Sequence, residues 1–320
     1  MNSNFVSHAA ALRAEIGLRN QIYARSRAHV ESYGDPPVIV FAPEGGRHGN
    51  FYDPAYMAMT ERSDWMRRFD KIHAQGRSLP KAERRWRELD SSMSSDALLM
   101  NVFCTPDVLD SLTVRRMLGV NGFAEPSFGW KARVPLANGR FDRTEVDMNW
   151  GDLLVESKLT ESDFQCREAA IVESYRDLDK VFDRSQLPRV EIRTRRRRDA
   201  VELAEEFTQE WEPSCDDGGA EAWAYQSEIA ARADELAPRE AGYASDQLIR
   251  NVLAAYALEA CFCVIHDERR PDLREAWFQV MMAVKSAEMR TRCKVLTWQE
   301  LVPVLPKDLQ EFLNIKYGIS

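Results

Sequence analysis

Apolar residues recur along this chain with two periods, and the points where the period changes mark its elements. Phe5, Ala9, Leu12, Ile16 and Ile22 stand at helical spacing and predict a helix over residues 5–32, ended by Pro36-Pro37. Val38 to Phe41 predicts a short buried strand, and Pro43 to Asn50 a loop. The helical spacing returns over 54–75 through Tyr56, Met57, Trp65, Met66 and Phe69, with Arg62, Arg67, Arg68 and Lys71 on the other side. Lys81 to Leu89 predicts a basic helix. The polar break Ser91 to Ser95 can cap a helix over 96–103, and 107–119 predicts another that ends at Gly119. Residues 127–134 alternate between two prolines and predict a strand, followed by an Asn138-Gly139 turn. Two more strands follow over 143–149 and 152–159. Helices are predicted over 163–183, 247–260 and 272–291, strands over 261–266 and 294–298, and helices again at the C-terminus. This order predicts an α/β fold, a small mixed sheet flanked by helices. An N-terminal helical portion over 1–90 precedes an α/β domain over 91–320.

One stretch breaks the apolar pattern in a chemically useful way. In TEVDMNWGDLLVESKLTESDF, residues 144–164, the apolar run Leu153-Leu154-Val155 continues into Glu156-Ser157-Lys158. Strand side chains alternate, so Glu156 and Lys158 share a face with Ser157 opposite. A turn at Trp150-Gly151 sets Asp147 opposite Leu154 and diagonal to Glu156. Two carboxylates and an ammonium then meet at one end of a half-buried sheet, where charges must pair or hold a metal. Lysine is scarce here, nine against thirty-four arginines, yet one sits inside an apolar strand. An edge strand with an outward Glu–Lys pair is the plain structural alternative.

These residues resemble the active-site hairpin of the PD-(D/E)xK nuclease superfamily, and more closely a bacterial group of restriction-endonuclease-like proteins. RRWRELDSSMSSDALLMNVF (84–103), DQLIRNVLAAY (246–256) and KVLTWQELVPVLP (294–306) extend the likeness over most of 45–318. The resemblance implies a restriction-endonuclease-like core, with Asp147 and Glu156 binding Mg²⁺ and Lys158 positioning or activating the attacking water. Val146 stands where the superfamily has a proline. The first core helix often completes the metal shell in such proteins, which points to Asp96; an Asp in the first turn of any helix also stabilises its positive end. Glu145 shares the parity of Asp147 and reads as a carboxylate behind the site or as a surface acid. Glu161 reads as a site residue or as part of a helix cap. Gln247 opens the helix that backs the site in the resembled group, beside Arg250 and Asn251. Mn²⁺ is expected to substitute for Mg²⁺, and oxygen ligands with no nearby His or Cys argue against Zn²⁺.

Composition narrows the setting. The chain has 320 residues, is 44% hydrophobic and 29% charged, and carries a net charge of −8. That charge argues against a nonspecific nucleic-acid coat, though a nuclease needs only a local basic footprint. Seven arginines fall within 184–198: Arg184, Arg189, Arg193, Arg195, Arg196, Arg197 and Arg198. With Arg84 and Arg85 they read as solvated charge or as contacts to a DNA backbone. Residues 184–242 read as a basic, partly flexible insertion. Glu125 is a further carboxylate placed near the site, and His73 and His266 read as structural rather than catalytic. Six cysteines show no zinc spacing, and no secretory signal or transmembrane run is present, which predicts a cytoplasmic protein with no membrane partner. The leading reading is a Mg²⁺-dependent endodeoxyribonuclease, restriction- or repair-like, with DNA as partner and a homodimer left open. The alternative is a catalytically silent nucleic-acid-binding protein that keeps the nuclease fold. A scaffold with surface ion pairs is the third.

Overall fold

The computed structural model describes residues 7–32, 37–72, 87–121, 124–193 and 239–320. Helix α1 spans His8–Tyr23, started by Ser7, whose hydroxyl accepts the Ala10 N–H. The expected helix over 5–32 stops here, because the chain reverses into strand β1, His29–Glu31, which pairs antiparallel with β2, Ile39–Phe41. The expected helix over 54–75 is two, α2 (Asp53–Thr60) and α3 (Ser63–Phe69). They part at Arg62, whose backbone is extended at φ −123° and ψ 113°. Helix α4, Ser95–Phe103, is capped by Ser94, whose hydroxyl accepts the Ala97 N–H. Helix α5, Leu112–Leu118, ends at Gly119, left-handed at φ 74° as a C-terminal glycine allows.

The central sheet begins with β3 (Pro126–Lys131), β4 (Glu145–Trp150) and β5 (Leu153–Lys158), joined antiparallel in succession. Between β3 and β4 the Asn138-Gly139 turn forms as expected, with Gly139 at φ 79°. The predicted helix over 163–183 does not form. Gln165 is left-handed at φ 62°, and only the short turns Ala169–Val172 and Leu178–Val181 are helical. Strands β6 (Arg189–Arg193) and β7 (Arg239–Tyr243) pair antiparallel and close the base of the expected insertion. Helix α6, Asp246–Ala257, leads into β8, Cys261–His266. The expected helix over 272–291 is again two, α7 (Pro271–Ala283) and α8 (Ala287–Arg292), broken where Val284 turns extended. Strand β9, Cys293–Thr297, and helix α9, Lys307–Tyr317, complete the chain.

The five strands lie in the order β9-β8-β5-β4-β3. β5, β8 and β9 are parallel neighbours, while β3, β4 and β5 alternate, so the sheet is mixed. Its period-2 alternation divides the core. Leu153 and Val155 join Cys263 and Ile265 on the face covered by α1, α4, α5 and α9. Leu154, Phe262 and Val264 join the face covered by α6 and α7. Every residue of β5 is buried, the charged ones included, because both faces are covered. No helix among the described residues is long and apolar enough to cross a membrane. The five described cysteines are free; Cys215 lies outside the described residues.

Candidate active site

The β4–β5 hairpin turns at Gly151-Asp152, one residue later than the sequence suggests. Trp150 is fully buried and its indole N–H donates to the Ala124 carbonyl at 2.7 Å, so it stays in the strand and pairs with Leu153. Gly151, at φ 62°, supplies the left-handed residue that a two-residue hairpin loop requires. The register Met148–Val155 then carries Asp147 across from Glu156 rather than Leu154. The β4–β5 pairing ends at Met148–Val155, and beyond it the Asp147 carboxylate takes the Ser157 N–H at 2.7 Å.

Alternation sends Ser157 one way and its neighbours the other. The Ser157 hydroxyl donates to the Ser95 carbonyl at the start of α4. Glu156 and Lys158 point toward α6. There Asn251 donates to Glu156 Oε2 at 2.8 Å and Gln247 Oε1 accepts from Lys158 at 3.0 Å. Lys158 also pairs with Glu156 Oε1 at 2.9 Å. Asp96, in the first turn of α4, is paired with Arg68. Glu161 accepts from the Ser95 hydroxyl and from the Leu159 N–H. It therefore holds the bend after β5 instead of capping a helix, since residues 160–163 form none.

Asp96, Asp147, Glu156, Lys158, Glu161 and Gln247 line one open cleft of about 720 Å³. Glu145 lines it too, tied to Lys71 at 2.6 Å, a surface pairing and not a support for Asp147. Glu125 does not line it and is held by Arg62 at 2.7 Å. The cleft's cations are Arg13, Arg68, Lys71, Arg87, Lys158 and Arg250, equal in number to its acids. The cleft's lining is thus neutral in formal charge within a chain of net −8. Of these, the sequence pointed to Lys158 as a site residue, to Arg87 with Arg84 and Arg85 as a contact to a DNA backbone, and to Arg250 as part of the polar cluster with Gln247 and Asn251. Arg68 and Lys71 sat on the polar side of a helical pattern, which carries no signal of burial. Among the expected DNA contacts, Arg84, Arg85, Arg195, Arg196, Arg197 and Arg198 lie outside the described residues, as does the side chain of Arg193. His73 does as well. Arg184 is engaged by Asp179 and Glu173, and Arg189 by Glu173. His266 lies opposite Lys158 in the β5–β8 register but is buried away from the cleft.

The carboxylates strain against one another. Burial, then the neighbouring Glu156 and Asp96, push the Asp147 carboxyl well above the usual range. Burial raises Asp96 to about 6, against the opposing pull of Arg68. Burial disfavours the Lys158 ammonium, but Glu156, Glu161 and Asp147 outweigh it and raise its pKa, so the side chain stays cationic. Because the folded pKa of Asp147 exceeds its unfolded value of 3.8, its contribution to stability falls as pH rises through the interval between them. Asp147→Asn is therefore expected to stabilise the fold by about 1 kcal/mol at pH 8, with the gain vanishing below about pH 4. Urea unfolding at the two pH values measures this; a variant less stable than wild type at pH 8 would contradict it.

The donor set is one of hard oxygens, with no His or Cys lining the cleft. Among the described residues no three His, Cys, Asp or Glu side chains come together as a ready-made cage. Carboxylate oxygens are the donor type a hard cation such as Mg²⁺ takes. The buried Asn251 Oδ1, beside Glu156, has no hydrogen-bond partner, leaving a further oxygen unsatisfied at the site.

Fold and cleft define a mixed α/β protein whose central hairpin carries acids and a lysine into one open cleft. The family of restriction endonucleases associating with ARP matches residues 18–318, and the chain belongs to that family. No curated protein and no solved structure matches it.

Proposed function

We propose that this cleft binds DNA and hydrolyses its phosphodiester bonds with a divalent cation, Mg²⁺ or Mn²⁺ in its place. The observation that carries the reading is the meeting of Asp147, Glu156 and Lys158 on one hairpin at the floor of a cleft lined by basic side chains. The family's description as restriction endonucleases agrees with it, and the three residues resemble the PD-(D/E)xK pattern, with Val146 where that pattern has a proline. Asp147 and Glu156 would hold the cation, with Asp96 as a further oxygen donor. When bound, the cation supplies Lewis acidity to the phosphate and to a water, and offsets charge gathering in the transition state.

The chain's own groups do the rest. The surrounding acids favour the protonated form of Lys158, whose Nζ donates toward the attacking water or a phosphate oxygen and offsets negative charge there. Glu156 and Gln247 fix that nitrogen, and Asn251 fixes Glu156 in turn. Arg13, Arg87 and Arg250 line the approach, suited to DNA phosphates and silent about sequence.

The test is incubation of purified protein with supercoiled plasmid and with single-stranded DNA in Mg²⁺, Mn²⁺ or EDTA. Nicking or linearisation with either metal and none in EDTA is expected. DNA binding without cutting under every condition would replace this reading with that of a silent nucleic-acid-binding protein.

A further inference from the structure

Among the cleft's cations, one that sits on the acidic cluster comes from outside the sheet. Arg68, on α3, is only 7% exposed. Its Nη1 donates to Glu88 at 2.8 Å and its Nη2 to Asp96, while Nε has no partner. The β3 strand makes room for it. Gly129 adopts φ 60°, and a Cβ there would lie 2.7 Å from the Arg68 Cδ, so any other residue would push the side chain out. A buried guanidinium is retained only where anions surround it. Here the anions include Asp96 and, in its electrostatic field, Asp147.

We propose that Arg68 is the built-in counter-cation of the acidic cluster, and that a divalent cation enters the cleft by displacing its guanidinium from Asp96. The inference rests on reading the cleft as a metal site. Its logic is repulsion between like charges: Asp96 is engaged by the Arg68 guanidinium, and a divalent ion on the same carboxylate is repelled by it, so metal binding there is favoured once the guanidinium moves away. Glu88 offers the displaced side chain a second partner, and it already binds Arg68 from the other side. The freed Nη2 still lines the cleft, where a DNA phosphate is its natural replacement for Asp96.

Calorimetric titration with Mn²⁺ alone, in the absence of DNA, tests this. Arg68→Met keeps the stem that packs beside Gly129 and removes the charge. It should bind Mn²⁺ about tenfold tighter than wild type, and Glu156→Ala should abolish binding in both backgrounds. Affinity that is unchanged or weaker in Arg68→Met, with binding still dependent on Glu156, overturns the inference and leaves the metal site standing. Absence of Mn²⁺ binding in every form overturns both. A second measurement needs no folded variant: the side-chain Nε–Hε signal of Arg68 in ¹⁵N-labelled wild type, titrated with Mg²⁺. It should shift with the midpoint of metal binding, and a stationary signal while metal binds overturns the inference.

Discussion

Arg270→Ala is expected to destabilise the protein by about 3–5 kcal/mol, the range found when one member of a buried, charged hydrogen-bond network is removed. Arg270 is fully buried at the start of α7. Its guanidinium donates to the carbonyls of Leu159, Glu161 and Ser162 and pairs with Asp272 at 2.7 Å. One side chain thus satisfies three backbone acceptors of the bend that follows β5. Truncation leaves those carbonyls without partners, leaves Asp272 without its ion pair, and opens a cavity. The bend carries Glu161 and follows directly on Lys158, so cleavage is expected to fall with stability. Urea unfolding monitored by circular dichroism measures the first effect, and a loss below about 1 kcal/mol would contradict it. Arg270→Lys keeps a charge near Asp272 but loses the planar fork, and is expected to fall between the two.

Lys158→Met carries the largest expected effect on catalysis, a loss of about 10³-fold in single-turnover cleavage, as when a preorganised donor to transition-state charge is removed. Methionine keeps an apolar side chain of similar length but loses the ammonium, which lies 5.6 Å from the centre of the Phe164 ring. Mn²⁺ binding should persist, because the carboxylates remain and one competing cation has gone. That split between retained binding and lost cleavage marks a residue acting on the reacting groups. A loss under tenfold would place Lys158 among the structural ion pairs.

The residues most legible in the sequence are those that violate a pattern. Glu156 and Lys158 interrupt a strand that is otherwise apolar, so their cost announces their purpose, and the structure brings both to the cleft floor. Gln247 and Asn251 stood out for the same reason, as polar residues on the first turns of an otherwise apolar helix; both touch the hairpin acids or lysine. The five-stranded mixed sheet followed from strand alternation and turn chemistry, although Trp150 kept its place in β4 and moved the hairpin register. Arg68 was invisible because its burial is purely tertiary. It depends on Glu88, Asp96 and a glycine on another strand, none of which alters the helical pattern of α3. The helix expected over 163–183 failed because Phe164, Ile171, Tyr175 and Leu178 mimic helical spacing while Gln165 adopts a left-handed backbone and Arg167-Glu168 pair with β7. The basic cluster 195–198 lies outside the described residues; of the cleft's arginines, Arg87 and Arg250 come from stretches the sequence marked, while Arg13 and Arg68 come from helices that carried no such signal.

The central claim is that the Asp147–Glu156–Lys158 cleft cuts DNA. The most direct measurement is the nicking rate of supercoiled plasmid in Mg²⁺ by wild type and by Glu156→Ala, purified side by side. The account predicts nicking by the wild type that saturates with Mg²⁺, and none above background by Glu156→Ala. Equal nicking by both proteins, or none by either across Mg²⁺ and Mn²⁺, would contradict it.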